Sequence, residues 1–467
     1  MNFFLKLSVT GDLLMIVHLG PGDLSVDYHR KKWIDSVDDN MKVFAVFSLL
    51  FITVNAVPFL DKLREPHVGK TWVVLAASSE GWINYGMEAD VYHAYQVVRQ
   101  HGIPDENIIV MHSDDIAHSS KNPTPGVVIN RVGGKDVYKT PYEVPKHYIG
   151  KDVTPENFLG ILKGDEKLEK GGKKVVKSGP NDRIFVYLDD HGGDEVVFFP
   201  TTTLLAKDLN NVLIDMHKEN KFSQLVFYLA ACEAGSMFAK LLPTDINVYA
   251  LTATLPGELG WKAESDHTNL NTYLAVFFAV TWLDDSEHND LTKELIATQY
   301  EYIKIHNNFT MDGSNYSQHA QQYGDLSIAT KQHVSNYMGE KKVPVNSKHV
   351  PYKPSGMAPI RDSELYRLQH KIKITNDIDE KLQYVQQLQS LLNGRQLLDK
   401  QIAEYVNELP AIDANIALNG KLELNNRDCY KQLVNTFNDH CYVFSRNTYA
   451  INKLESSFIS PVPFYNQ

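Results

Sequence analysis

The stretch that decides the fold is Arg183-Ile-Phe-Val-Tyr-Leu-Asp-Asp-His-Gly-Gly193, and a second stretch of the same design follows it, Leu225-Val-Phe-Tyr-Leu-Ala-Ala-Cys-Glu-Ala-Gly235. Each has the pattern of a buried apolar strand that ends in a reactive side chain followed by small residues. One strand delivers His191 and the other delivers Cys232. In an open α/β sheet the ligand crevice lies at the carboxyl ends of the strands. Two such ends side by side would place an imidazole near a thiol, which is the minimum machinery for a thiolate nucleophile.

Apolar, β-rich runs recur along the chain and alternate with helical patterns. The predicted strands are Trp72–Ala77, Asn107–Met111, Ile184–Leu188, Leu225–Leu229 and Val248–Thr252. The predicted helices are Asp90–Gln100 and Leu205–His217. This alternation predicts an α/β fold, a mostly parallel sheet flanked by helices, over residues 69–325. The order of the reactive residues, with histidine upstream of cysteine, is the caspase-type order.

The composition is that of an ordinary globular protein, with 43% hydrophobic and 22% charged residues in 467. A net charge of −11 argues against a nucleic-acid partner. Three cysteines are too few for a disulfide-stapled scaffold. We find no metal-ligand spacing and no phosphate-binding glycine loop, so the sequence predicts neither a metal nor a cofactor.

Residues 41–56 have the pattern of a secretory signal peptide. Lys42 supplies the positive charge, an apolar core follows, and Val54-Asn55-Ala56 has the small residues of a cleavage site. Because such a signal belongs at the start of a chain, Met41 is the expected initiator and residues 1–40 an upstream extension of the gene model. A signal anchor or a buried helix is the alternative. The mature chain shows no pattern of a transmembrane span.

The character of the chain changes after Asp325. Residues 326–363 are rich in Lys, Pro, Ser and His and lack a clear period, which predicts an exposed, cleavable linker. Residues 364–467 have helical periodicity and form the predicted tail domain. Its apolar positions are Leu382, Val385, Leu388 and Leu392, continued by Leu398, Ile402, Tyr405 and Val406. Asn393-Gly394 is a predicted break. Packing, dimerisation or a regulatory cap would each suit such a domain.

With these residues in hand, the chain resembles the legumain family, the asparaginyl endopeptidases among the caspase-like cysteine proteases. The motifs that carry the resemblance are Gly81-Trp-Ile-Asn-Tyr85, Ala89-Asp90-Val-Tyr-His-Ala94, Asn122-Pro-Thr-Pro-Gly126, Asp136-Val-Tyr138, Asp152-Val-Thr154, Asp190-His-Gly192 and Ala231-Cys-Glu233. It is dense over residues 69–325 and loose over the tail. It implies a caspase-like catalytic domain, a short propeptide at 57–68, a death-domain-like helical prodomain, and a lysosomal or secreted protein.

The resemblance also implies roles for single residues. Cys232 would attack the scissile carbonyl, and His191 would act as general base and then protonate the leaving amine. The backbone N–H groups of Gly192 and Cys232 would hold the oxyanion. Asn84 would orient the histidine. Asp190 matches an aspartate that the family can convert to a succinimide, and Glu233 matches the acidic neighbour of the nucleophile.

The specificity pocket departs from the family pattern. Polar family positions are replaced here by Gly86, Met87, Ala230, Leu259, Gly260 and Val276. A buried primary amide without hydrogen bonds loses roughly 1–3 kcal/mol per unsatisfied group. We therefore expect the residue before the scissile bond, P1, to be apolar or aromatic instead of asparagine.

The resemblance makes the tail a prodomain that covers the site and is released at acid pH. Asn376 matches a family processing site, although an apolar pocket puts cleavage there by the protein itself in doubt. Cys429 and Cys441 match the first two of four family cysteines, and their usual partners are missing. Twelve residues of helix span about 18 Å, so the two are expected to be free or to pair between chains, unless the chain bends.

Two N-glycosylation sequons occur close together, at Asn308 and Asn315. Peptide and protein substrates are the expected partners, along with cystatin-type inhibitors by resemblance. A catalytically silent homologue that binds peptides is the alternative function. The transamidase subunit of lipid-anchor attachment is a third reading, disfavoured because its usual C-terminal membrane span is not seen here. Hydrolysis and peptide ligation through the same thioester stay open.

Overall fold

The structure is a computed structural model that describes residues 6–9, 13–16, 68–344, 350–409, 413–420 and 423–450. It divides into two units, Met1–His67 and Val68–Gln467. In the first, strands Lys6–Val9 and Leu13–Ile16 pair antiparallel. The predicted signal peptide at 41–56 lies outside the described residues, as do all of the predicted propeptide 57–68 but its last residue and most of the predicted extension 1–40.

The second unit contains the sheets and helices that build the site. Its strands are β1 Thr71–Ala77, β2 Ile108–His112, β3 Tyr148–Ile149, β4 Arg183–Asp189, β5 Gly192–Gly193, β6 Val196–Phe198, β7 Thr203–Leu205, β8 Gln224–Ala230, β9 Val248–Thr252, β10 Trp261–Asp266, β11 Thr272–Val276, β12 Asn308–Met311, β13 Ser314–Ser317, β14 Gln321–Gly324 and β15 Ala358–Pro359. Its α-helices are α1 Tyr85–Gln100, α2 Pro155–Lys163, α3 Glu166–Lys170, α4 Ala206–Lys218, α5 Phe277–His288, α6 Ile296–His306, α7 Ser327–Lys331, α8 Ser335–Met338, α9 Ser363–Ile374, α10 Ile378–Glu408, α11 Ala414–Asn419 and α12 Arg427–His440.

The central sheet has the strand order β14-β9-β8-β4-β1-β2-β3. Its neighbours run parallel except β14, which is antiparallel to β9. The inner strands are buried on both faces, which is why they stand out in the sequence as unbroken apolar runs. The five predicted strands are confirmed to within one residue at each end, and α1 begins five residues before its predicted start.

Helices cover both faces of the sheet. Side chains of α1, α5 and α6 pack on one face, in the same core cluster as Ala230 and Cys232. Side chains of α2 and α4 pack on the opposite face. Both reactive strand ends, those of β4 and β8, therefore lie at one edge of a sheet that is fixed from both sides.

The predicted boundary at residue 325 and the linker 326–363 are wrong at both ends. Helices α7 and α8 lie inside that range, and Ile328, Val334 and Tyr337 are buried in the core with α6. Two short helices are too brief to give a clear period, so their polar surroundings hid them. At the other end, residues 358–361 form strand β15 and a buried turn instead of an exposed connection.

The tail is helical, as predicted, but its long helix differs from the prediction. α10 runs without a break through Asn393-Gly394, because one exposed glycine costs only about 1 kcal/mol in a helix of this length. Its apolar face is buried only over the C-terminal half, where Leu398, Ile402 and Val406 join a cluster with β6 and β7. No described helix is both long enough and apolar enough to cross a membrane.

Candidate active site

The two reactive residues leave the sheet from neighbouring strands. β4 and β8 run parallel, with Asp189 directly opposite Ala230. His191 and Cys232 each follow two residues after that matched pair, so the sheet register brings them to the same edge. Cys232 is buried. The backbone N–H of Gly260, directly before β10, donates to its Sγ at 3.3 Å.

Asn84 fixes the orientation of His191. Its Oδ1 lies 2.8 Å from His191 Nε2, and its own Nδ2 donates to the carbonyl of Glu80 at 3.0 Å. The carboxamide therefore presents its oxygen to the ring, which requires the proton on Nε2. Among the described residues His191 Nδ1 is buried without a hydrogen-bond partner, so it is left as a proton acceptor.

Burial and charge keep the imidazole neutral. Burial lowers the pKa of His191 well below its usual range, and the positive charges of Lys262 and Arg361 lower it further. A neutral ring with a free Nδ1 lone pair is the form that a general base requires.

Gly192 lets the two strand ends approach. A Cβ at this position would lie 2.5 Å from the carbonyl oxygen of Cys232 and 3.0 Å from Ala231 Cβ. Only glycine permits this separation. The next residue after the cysteine, Glu233, adopts a left-handed conformation with φ of 55° and is buried.

Asp190 is buried beneath the histidine. It accepts hydrogen bonds from the hydroxyls of Ser78 and Ser79 and from the backbone N–H of His191. Burial raises the pKa of Asp190 to about 7, against the lowering effect of these hydrogen bonds. Asp190 thus anchors the backbone turn that carries His191.

Four of the six predicted pocket positions belong to the core that contains Cys232 or pack against it. Met87, Ala230 and Val276 are buried in the core cluster that contains Cys232, and Leu259 packs against it. A Cβ at Gly86 would lie 2.8 Å from the backbone nitrogen of Ala275, so α1 packs tightly on β11.

A pair of buried carboxyls that sequence analysis did not predict lies next to one of these positions, Ala230. Asp189, opposite Ala230, is buried, accepts a hydrogen bond from Tyr187 at 2.7 Å, and interacts with the carboxyl of Asp90. Asp90 in turn accepts from the Val276 backbone N–H at 2.7 Å. Burial raises the pKa of both carboxyls, and we infer that they share a proton. Asp189 was visible in the sequence as a carboxylate at the end of the apolar strand β4, and this could have indicated a buried polar group near the site.

Comparison with known proteins decides the family. The sequence model of the peptidase C13 family matches residues 71–340. Human legumain is 40% identical over 412 residues, which cover 87% of this chain and 91% of that protein. The chain belongs to the peptidase C13 family. It is therefore a cysteine-type endopeptidase, related to the legumains.

Other comparisons extend this result. The vacuolar-processing enzyme delta-isozyme of Arabidopsis thaliana is 37% identical, covering 80% of this chain and 83% of that protein. The hemoglobinase of Schistosoma japonicum is 35% identical, covering 85% and 91%. Caspase-1 of Spodoptera frugiperda aligns with a TM-score of 0.34 and 10% identity, covering 61% and 92%. The sequence model of the SURF4 family matches residues 1–33, outside the peptidase region.

In this C13 chain the segment 358–361 lies across the active-site edge. β15 pairs antiparallel with β10, with Pro359 opposite Trp261 and Ala358 opposite Lys262. The Ile360 backbone N–H donates to the Gly260 carbonyl at 3.0 Å, and its side chain is 2% exposed in the core cluster of Cys232.

Arg361, the last residue of the segment, contacts the residues that follow His191 and Cys232. Its guanidinium donates to the Gly192 carbonyl at 2.9 Å and to Glu233 Oε1 at 3.0 Å. Sequence reasoning missed this residue because it lay in the predicted linker. The segment thus contacts the pocket through Ile360 and the backbone beside His191 through Arg361.

The tail helices cover the same edge of the sheet, where His191 lies. A cleft of about 990 Å³ is lined by His191, Asn84 and Lys262 on one side and by residues of α10 and of 445–449 on the other. Arg427 and Glu195 form a bidentate ion pair, with both contacts at 2.6 Å. Arg446 pairs with Glu80 at 2.6 Å, next to the turn that carries Asn84.

The remaining predicted sites lie away from the dyad. Asn376 is exposed in the short connection between α9 and α10. Asn308 and Asn315 are exposed on the hairpin β12–β13. Cys429 lies in α12 and Cys441 follows it, and neither forms a disulfide with a described residue.

Proposed function

We propose that the chain hydrolyses peptide bonds through Cys232 and His191. The proposal rests on the hydrogen bond between Asn84 and His191 Nε2, which leaves His191 Nδ1 as a proton acceptor at the edge of the sheet where Cys232 lies. Cys232 would attack the scissile carbonyl, His191 would take its proton and return it to the leaving amine, and the N–H groups of Gly192 and Cys232 would hold the oxyanion. Asp190 holds the backbone turn that carries His191, and Glu233 pairs with Arg361.

We also propose that P1 is apolar. The chain's own segment supports this, since its backbone pairs antiparallel with β10 and its Ile360 packs beside Gly260 and within the core cluster of Cys232. Three of the four oxygens of the Asp90–Asp189 pair already accept hydrogen bonds, from Asn130, the Val276 N–H and Tyr187, and only Asp189 Oδ1 is left for the proton that the two carboxyls share.

We also propose that the protein is made as a zymogen. Its prodomain, which covers the site, would be the helical tail together with segment 358–361. The active enzyme would work in the acidic lumen of the secretory pathway. Its cover is attached through carboxylates, including Glu233, Glu195 and Glu80. The proposal is that this cover leaves the site at acid pH. Exposure of Asn376 suits it to cleavage by another protease. Glycosylation at Asn308 and Asn315 and binding of cystatin-type inhibitors belong to the same proposal.

The test is cleavage of an unbiased peptide library by the acid-treated protein, beside a Cys232→Ala control. Cys232-dependent cuts after apolar residues support both proposals. Cuts after asparagine overturn the P1 proposal and leave the dyad standing. Turnover that persists in the alanine variant, or no turnover after the cover is cut by an added protease, overturns the dyad.

A further inference from the structure

Lys262 is a buried cation beside the dyad. It lies on β10, is 2% exposed, and has no carboxylate within ion-pair distance among the described residues. Its Nζ donates to the Ile83 carbonyl at 2.6 Å and lies 3.5 Å from Asn84 Oδ1. Removing an ammonium from water without a counter-ion costs several kcal/mol. The burial of Lys262 is therefore costly, and packing alone does not explain why a lysine occupies this position.

The contacts of Lys262 lead directly to the histidine. Asn84 Oδ1 lies between Lys262 Nζ and His191 Nε2, and the Ile83 carbonyl fixes the residue before Asn84. Gly260, two residues before Lys262 at the start of β10, donates its backbone N–H to Cys232 Sγ. One short stretch of chain, Gly260 to Lys262, thus contacts the nucleophile at one end and the orienting asparagine at the other. The segment 358–360 pairs with that stretch too.

The titratable groups around Lys262 are acids. Glu364 of α9, Asp189, Cys232 and Asp190 each interact with it, whereas Arg361 acts on His191 from the covering segment. Burial lowers the pKa of Lys262 to about 8, so the ammonium stays charged at acid and neutral pH. A fixed positive charge here disfavours an imidazolium and favours a thiolate.

We propose that Lys262 is a positioning residue for the dyad: its ammonium holds the Asn84 oxygen toward His191 Nε2 and keeps a positive charge beside Cys232 that favours the thiolate. This rests on the proposed dyad. It assigns a role to a residue that contacts neither the scissile bond nor the leaving group. A purely structural lysine would hold the Ile83 turn and leave the titration of Cys232 unchanged.

The test uses the full chain with its cover opened by acid, in three variants. Lys262→Gln can still donate to Ile83 but carries no charge, Lys262→Met removes both, and Lys262→Arg keeps the charge. The rate of Cys232 alkylation by iodoacetamide is measured against pH, with mass spectrometry separating its peptide from those of Cys429 and Cys441. The pH dependence of kcat/KM is measured in parallel.

We expect the Gln and Met variants to move the midpoint of Cys232 alkylation up by about one pH unit, so that alkylation below the midpoint slows about tenfold. The Arg variant should stay near the parent. An unchanged midpoint in a folded Gln variant overturns the proposal, whatever happens to the overall rate. Failure of the dyad itself looks different: parent Cys232 would alkylate no faster at acid pH than Cys441, or turnover would survive Cys232→Ala.

Discussion

The floor of the site and the cover above it are held by different forces. The floor, meaning the ends of β4 and β8 with residues 189–192 and 230–233, is fixed by buried strands and by hydrogen bonds to buried carboxyls such as Asp190. The cover, meaning residues 358–361 and 427–446, is attached by one short strand pairing, by ion pairs with carboxylates and by an apolar cluster shared with β6 and β7. Acid stabilises the floor through Asp190, whereas the proposed acid activation requires acid to release the cover.

The sign for the floor follows from Asp190. Its pKa is raised to about 7 in the folded protein, above the unfolded value of about 3.9. The folded state therefore binds the proton more tightly, and stability from this group rises as pH falls from 7 toward 4. The cover is expected to respond the other way, because the proposed activation requires it to leave the site at acid pH. Under that proposal the same acid stabilises the floor and releases the cover.

The largest expected effect is on the floor chemistry. Cys232→Ala should abolish turnover, by several orders of magnitude, since loss of the nucleophile alone can remove nearly all of the catalysis by such a unit. The unfolding midpoint should fall only slightly, because the substitution removes a single buried sulfur atom. Turnover under the same conditions and a thermal melt measure the two separately.

Next is the close approach at Gly192. Gly192→Ala places a Cβ against the Cys232 carbonyl, so the strand ends must separate. Displacing a reacting group by an ångström costs about 10²-fold in rate, and we expect a loss of that size in kcat/KM. Gly394→Ala, at an open position of α10, is the matched control and should leave the rate unchanged. A Gly192 variant as active as the parent would remove our reason for the glycine.

The cover should respond to its buried ion pair. Arg361→Ala leaves Glu233 buried and unpaired, and breaking such a pair costs roughly 3–5 kcal/mol. We expect activation to begin at a higher pH and activity before acid treatment to rise at least about tenfold. The control is Arg446→Ala, whose pair with Glu80 is far more exposed, 68% and 34% against 3% and 8%, and should shift activation by less than about 1 kcal/mol. Equal shifts would mean that burial does not set the strength of the cover.

The smallest effect is a difference in pH dependence. Asp190→Asn cannot gain a proton, so the variant should lack the stabilisation that Asp190 brings as pH falls from 7 to 5, about 2 kcal/mol. Denaturant unfolding at the two pH values gives this difference directly. A parent and a variant with parallel pH curves would show that Asp190 titrates normally in the folded chain.

The two regions also differ in how far the sequence predicts them. The floor was predictable because buried parallel strands are unbroken apolar runs, and His191 and Cys232 stand at their ends. Asp189 and Lys262 were not found as site residues, since their positions depend on the register of β4 with β8 and on the path of β10. The cover was misread because a two-residue strand and a single turn, 358–361, have no periodicity. Tertiary pairing alone gives that segment its structure.

Hydrogen exchange of the full chain at pH 7 and pH 5, corrected for intrinsic rates, tests the opposition between floor and cover most directly. Our account predicts that amides of 358–361 and α12, including the Ile360 N–H that binds Gly260, lose protection at pH 5. Amides of β4 and β8 should keep or gain protection under the same conditions. Equal loss in both regions, or a cover that stays protected at pH 5, would contradict the account.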